Sequence, residues 1–258
     1  MTQAAIQIAS LARRSVIRTS RQPAAVFGPF FFPLMLLAVN SGGLRPSTLL
    51  KGFPTDSFLA FALAVPFIHG ALFATMNAGT DLARDIQTGF LNRLALTPLR
   101  APALVAGHLA GVVATGFAQS IVYLLVGLAV GVDIRAGPAG VLVLLLLATL
   151  IAAAWGAFGA YLALRTGSGE SIQGMFALMF VFFFVSSMNT PRNLIAVGWF
   201  RWAATINPVS YLIEGVRSLI IEGWDGEALG LAFACALGIL AVSLALASRA
   251  LGKRLTRT

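Results

Sequence analysis

Residues 136–164 read AGPAGVLVLLLLATLIAAAWGAFGAYLAL, 29 residues without a charged side chain and without the alternation of apolar and polar positions that marks a half-buried strand. A hydrocarbon core of about 30 Å is crossed by roughly 20 apolar residues rising about 1.5 Å each, so this run reads as a transmembrane helix whose backbone hydrogen bonds all close within the segment. Five more uncharged runs flank it, at 22–44, 57–80, 101–132, 171–191 and 228–248, and the six measure 23, 24, 32, 29, 21 and 21 residues in chain order. Only 10% of the 258 residues are charged and 58% are hydrophobic, against about 25% charged in a soluble domain. The expected fold class is all-α: a polytopic membrane protein with six transmembrane helices, in a single transmembrane domain over residues 1–258.

Arg13, Arg14, Arg18 and Arg21 precede the first run and could mimic the basic start of a secretory signal. The run is long, lacks a small-x-small cleavage site and is followed by five more, so it is expected to be retained. The single cysteine, Cys235, lies within the sixth run and can form no intramolecular disulfide. With the N-terminus inside, twelve basic residues and three acids (Asp81, Asp85, Glu170) face the cytoplasm, while six bases and six acids face outward. The whole formal charge of +9 then lies on one side, as the positive-inside bias requires, and both termini are expected to be cytoplasmic. No basic stripe with interleaved aromatics stands outside the runs, so anionic lipid headgroups rather than nucleic acid account for the basic balance.

The connections carry the specific signals. Residues 1–21 form a weakly amphipathic cytoplasmic segment, with Ile6, Leu11 and Val16 set to meet lipid and the arginines set to reach phosphates. Residues 81–94 repeat Leu82, Ile86, Phe90 and Leu94 at every fourth position, with Asp81, Asp85, Thr88 and Asn92 on another face, and Thr97-Pro98 closes the pattern. A short helix along the inner membrane surface is expected there, within a cytoplasmic segment 81–100. Residues 192–227 form a longer, semi-apolar outer segment containing Trp199, Phe200, Trp202, Tyr211 and Trp224, which suit a headgroup interface. Within it, 208–221 reads equally as a re-entrant helix or as an ordinary amphipathic surface helix.

Two stretches carry a resemblance. Asp85-x-x-x-Gly89-x-x-x-Arg93-Leu94 with Leu96-Thr97-Pro98 resembles the cytoplasmic signature of ABC type-2 exporter permeases, including the daunorubicin-resistance-like branch. Asn207-Pro208-x-x-Tyr211-x-x-Glu214-x-x-Arg217 resembles the Asn-Pro and downstream Arg motif such permeases place before their last span. Asp85 stands where the family commonly has Glu, which keeps the charge and shortens its reach. The resemblance implies a permease subunit of an ATP-driven drug, antibiotic or lipid exporter in the bacterial plasma membrane. It further implies a partner ABC ATPase that binds ATP and Mg, and a second copy of this chain or a similar permease. The segment between the second and third spans would be the coupling helix docked on that ATPase, with Asp81, Arg84, Asp85, Gly89 and Arg93 as contact or shaping residues. Asn207, Pro208, Glu214 and Arg217 would form the outer-loop motif.

The residues alone exclude other chemistry. Neither lysine fits a phosphate loop, since Lys51 follows Leu50 and Lys253 follows Gly252 without the upstream glycine, so this chain is not expected to be an enzyme or to bind a cofactor itself. His69 and His108 have no acid or cysteine at metal-ligand spacing. No Asp, Glu, Lys or Arg lies inside a run, which argues against an ion-coupled carrier. A passive channel that needs no ATPase, or a non-transporting membrane-assembly component, would show the same uncharged runs. His69, Asn77 and Gln119 could line a substrate path or bridge neighbouring helices. Gly107 with Gly111, Gly127 with Gly131, and Ala152, Gly156 and Ala160 are small residues at helical spacing that let helices approach closely.

Overall fold

The computed structural model describes residues 23–90 and 101–255, with Arg13 and Ile17 as isolated positions. The N-terminal segment 1–21, apart from those two positions, and residues 91–100 of the expected cytoplasmic segment, with the contact residue Arg93, therefore lie outside the described residues. The described chain is helical throughout, with no strand: α1 (Pro23–Gly43), α2 (Phe58–Ala62), α3 (Ala64–Gln87), α4 (Ala101–Ala129), α5 (Gly137–Thr166), α6 (Gly169–Phe184), α7 (Gly198–Ile206), α8 (Pro208–Ile221) and α9 (Gly226–Leu255), with short 3-10 turns at Arg45–Leu49 and Arg192–Leu194.

Four helical stretches among the described residues are long and apolar enough to cross a membrane: Phe58–Gln87, Gly107–Ala129, Gly137–Thr166 and Gly226–Arg254. Phe27–Gly43 of α1 and the whole of α6 are apolar but shorter. The fifth apolar run was expected to stay helical to residue 191, yet α6 ends at Phe184 because Val185 leaves helical geometry at φ −88°, ψ 51°. The carbonyls released there are used by side chains of the next segment.

The core is built around α3, which packs most extensively on α5, while α5 packs on α9 and α9 on α8. Small residues set these distances. A Cβ on Gly159 of α5 would sit 2.1 Å from the Thr75 carbonyl oxygen of α3, and the Thr75 hydroxyl donates to the Trp155 carbonyl at 2.9 Å. Gly156 faces Val112 of α4, Gly116 of α4 faces Ala152, and Gly127 faces Leu63, so much of the small-residue pattern read from the sequence is close helix packing. Prolines open the backbone, and polar side chains repair it. Pro33 has no N–H to offer the Pro29 carbonyl one turn earlier, and the Tyr123 hydroxyl donates to that carbonyl instead.

The helices define two ends. One gathers residues 40–57, 130–137 and 185–227: Asn40 donates to Asn189, and the Arg135 and Ala136 amides donate to the Ile220 and Leu219 carbonyls. At the other end, Gln87 Nε2 donates to the Gly167 carbonyl at 3.2 Å and Arg254 Nε donates to the Leu164 carbonyl, joining the ends of α3, α5 and α9.

Candidate functional site

The end that carries residues 185–227 is organised by two side chains of the outer-loop motif. Asn207 caps α8: its Oδ1 accepts from the Val209 amide at 2.9 Å, and Pro208, with φ already set, fills the first helical position. The same side chain, 5% exposed, turns its Nδ2 to the Phe182 and Val185 carbonyls at 2.6 Å each, which are orphans of the α6 terminus. One asparagine thus starts one helix and finishes another.

Arg217, ten residues on, completes the connection. Its Nε donates to the Phe61 carbonyl at 3.1 Å, Nη1 to the Ser187 carbonyl at 3.0 Å and Nη2 to the Met188 carbonyl at 3.0 Å. The guanidinium lies 3.6 Å from the centroid of the Phe61 ring. Phe61 sits just before the interruption at Leu63 that divides α2 from α3, and Pro66 beyond it offers no N–H to the preceding turn. The residue counted from the sequence as a balanced outer-loop charge is therefore only 5% exposed, with its planar fork spread over three backbone carbonyls.

Glu214 forms an ion pair with Arg192, whose guanidinium also lies 4.5 Å from the Tyr211 ring centroid; the Tyr211 hydroxyl donates to the Thr205 carbonyl at 2.7 Å. Burial alone would lower the Arg192 pKa, but the Glu214 carboxylate and the Tyr211 hydroxyl outweigh it and hold it above the ordinary guanidinium value. Ser187 and Ser210 add a further tie, the Ser187 amide donating to the Ser210 hydroxyl at 3.0 Å. Beside this clasp opens a cavity of about 430 Å³ lined in part by Arg192, Tyr211, Glu214, Arg217, Glu222 and Asp225. Eleven of the fourteen residues of α8 are buried, so it is packed among its neighbours rather than laid on the protein's surface.

At the opposite end only residues 81–90 of the expected amphipathic helix 81–94 are described, and there the structure changes the reading. Asp81–Gln87 is not a separate element but the last turns of α3. Leu82 does not rest on lipid; it is 2% exposed within a cluster that includes Ala160, Leu164 and Leu251. Asp85 is also not on an open face, being 7% exposed, whereas Arg84 and Gln87 point outward. Asp81 is half-buried. Gly89 adopts φ +69° with nothing within 4 Å of a notional Cβ, so within this chain it serves a change of backbone direction and not a close approach.

The three polar residues of the proposed path separate. Asn77 and Gln119 line one small cavity between α3 and α4, together with Asp81, His108 and Thr115. His69 is absent from it: it is fully buried, its Nδ1 lies 3.1 Å from the Val65 carbonyl, and its ring packs against Phe180 and Phe183. A larger apolar groove of about 730 Å³ runs between α1, α3 and α6, lined by Phe32, Phe73, Phe176, Phe180 and Phe184 among others. Sequence reading missed the Arg192–Glu214 pair and the Arg254 contact, neither of which has a local signal. It also passed over Gly167 (φ +70°), although a glycine directly after Arg165-Thr166 at the end of an apolar run is a readable helix stop.

The clasp sits among four helical stretches, in the described residues, that are long and apolar enough to cross a membrane, and these fit the class of multi-pass membrane proteins. The chain belongs to the ABC-2 type transporter family, whose family model matches residues 6–221. It is similar to the daunorubicin resistance ABC transporter permease protein DrrB1 of Streptomyces coeruleorubidus, at 27% identity over 231 residues covering 87% of this chain and 77% of that protein. It is also similar to the probable doxorubicin resistance ABC transporter permease protein DrrC of Mycobacterium tuberculosis, at 25% identity covering 81% and 75%. The putative transport permease ycf38 of Cyanophora paradoxa matches at 24% identity, covering 81% and 72%.

Proposed function

We propose that this chain is the transmembrane subunit of an ATP-binding-cassette exporter that moves a hydrophobic or amphipathic compound out of the cell, driven by a separate ATPase. The observation that carries this reading is the family match over residues 6–221. The drug-resistance permeases among its relatives support a drug-like, antibiotic or lipid-like cargo. The apolar groove between α1, α3 and α6 is of a size and character to accept one. In this reading the two shorter apolar helices complete six spans, both termini are cytoplasmic, α8 enters the leaflet as a re-entrant helix, and two permease subunits assemble in the cell membrane with two ATPases that hold ATP and Mg.

The ATPase would dock where α3 ends. Asp81, Arg84, Asp85, Gly89 and Arg93 remain the proposed docking segment, but exposure shifts the weight within it. Arg84 faces outward and can meet a partner directly, whereas Asp85 is buried within this chain. The test is co-purification with the ATPase encoded nearest to this gene, together with the ATP turnover of that pair. The expected result is a stable complex whose turnover rises with a hydrophobic cargo. A chain that retains no ATPase in mild detergent and transports without one would refute the proposal.

A further inference from the structure

The short helix α7 lends the clasp its Thr205 carbonyl but takes no part in the groove or the docking segment, and it carries the most exposed aromatic side chains of the described residues. Trp199 is 69% exposed, Trp202 67% and Ile206 59%. Their spacing of three and then four residues places all three on one face of the helix. The other side is held by the protein: Ala204 is fully buried, Arg201 Nε donates to the Ile195 carbonyl at 2.8 Å, and the Thr205 carbonyl accepts from Tyr211. The orientation of the stripe is therefore fixed, outward from the bundle.

We propose that α7 is a lipid anchor whose Trp199, Trp202 and Ile206 insert at the headgroup–acyl boundary of the leaflet at the clasp end. Two observations and one general preference favour lipid over a protein partner. The helix ends on Asn207, whose side chain grips the terminus of α6, and there Val181, Phe182 and Phe184 are 56%, 54% and 47% exposed; the stripe thus adjoins the apolar outer surface of the bundle. Indoles combine an apolar body with one N–H donor and favour the interface between acyl chains and headgroups over either pure phase. Trp224, 59% exposed in the turn between α8 and α9, adds a third indole at the same end. This inference rests on the multi-pass membrane class and not on the export reading.

The test uses the whole chain reconstituted into phosphatidylcholine–phosphatidylglycerol vesicles, with Trp155→Phe and Trp224→Phe leaving two indoles. Lipids brominated near the top of the acyl chain should remove most of their emission, while lipids brominated near the chain ends and aqueous iodide should remove little. Trp155 packs on Phe183, so if that variant does not fold, Trp199→Phe with Trp202→Phe in the otherwise native chain reads the same component by difference. Quenching by iodide alone would place the stripe in water and overturn the proposal. Protection from both quenchers would place it against a second copy or another protein, which overturns it equally.

Discussion

Arg217 shows how a charge can sit within a helix bundle with backbone carbonyls, not an acidic side chain of the described residues, as its hydrogen-bond partners, while Glu214 and Glu222 act on it from further off. Each of its three hydrogen bonds ends on a backbone carbonyl: Phe61 just before the break between α2 and α3, and Ser187 and Met188 in the non-helical stretch after α6. A hydrogen bond to a charged group contributes about 1.5–3 kcal/mol, so Arg217→Met, which leaves the Phe61, Ser187 and Met188 carbonyls bare, should cost about 3 kcal/mol or more. Arg217→Lys keeps the charge but not the planar fork and should recover only part of the loss. The check is the thermal midpoint followed by fluorescence-detected size exclusion; a lysine variant as stable as the native chain would show that charge alone suffices. Asn207 permits a sharper test. Asp caps helices as well as Asn does, so a pure capping role predicts an unharmed Asn207→Asp. The geometry predicts the opposite: Asp keeps the acceptor for Val209 but loses both donors and turns a carboxylate on the Phe182 and Val185 carbonyls. Asn207→Ser should be less stable than the native chain, and Asn207→Asp less stable again. Asn207 as a helix cap was not singled out, although Asn before Pro is a readable helix start; the motif containing both residues was legible in the sequence through its resemblance. Their long-range carbonyl partners were not, because an interrupted helix in α2–α3 and an early end to α6 leave no mark on hydrophobicity.

Among the elements, α3 departs most from its expected reading. The four-residue repeat of Leu82, Ile86 and Phe90 is the same whether a helix lies on lipid or packs its stripe against α5 and α9, since both environments reward one apolar face. Only tertiary contact decides, and Leu82 is in the protein core. This changes what a docking experiment must vary. Asp85→Lys would bury a new cation and lower the folded yield, whereas Arg84→Glu alters an exposed charge at a folding cost under about 1 kcal/mol and should weaken ATPase co-purification at unchanged abundance. Unchanged co-purification would remove Arg84 from the docking surface. The α3–α5 crossing makes a second element-scale prediction. Gly159→Ala places a methyl 2.1 Å from the Thr75 oxygen and should abolish or sharply reduce folded protein, while Gly174→Ala, with open space around it, should not. Equal yields of the two would mean that the helices can separate without penalty. The small-residue stripes at Gly127 and Gly156 were readable as packing signals; Gly159 itself was not singled out, because its meaning depends on a Thr75 carbonyl 84 positions away in the chain.

For the molecule as a whole, hydrophobic runs gave the helical class and the positions of the long helices, because a bilayer span is a local property of composition. The end of α6, the burial of α8 and the two end assemblies depend on contacts distant in sequence and were open or unread. Sidedness rests on the +9 charge bias and is tested by single cysteines in a Cys235→Ser background. A cysteine at Asn193 should react with an impermeant reagent in intact cells and one at Glu170 should not, and the reverse result would invert the topology. The partner-driven export reading meets its most direct test in proteoliposomes that hold this chain and its ATPase, in which accumulation of a fluorescent hydrophobic cargo is followed on addition of ATP. The account predicts accumulation that requires both proteins and hydrolysable ATP. Equal accumulation with this chain alone, or no dependence on ATP when both are present, would contradict it.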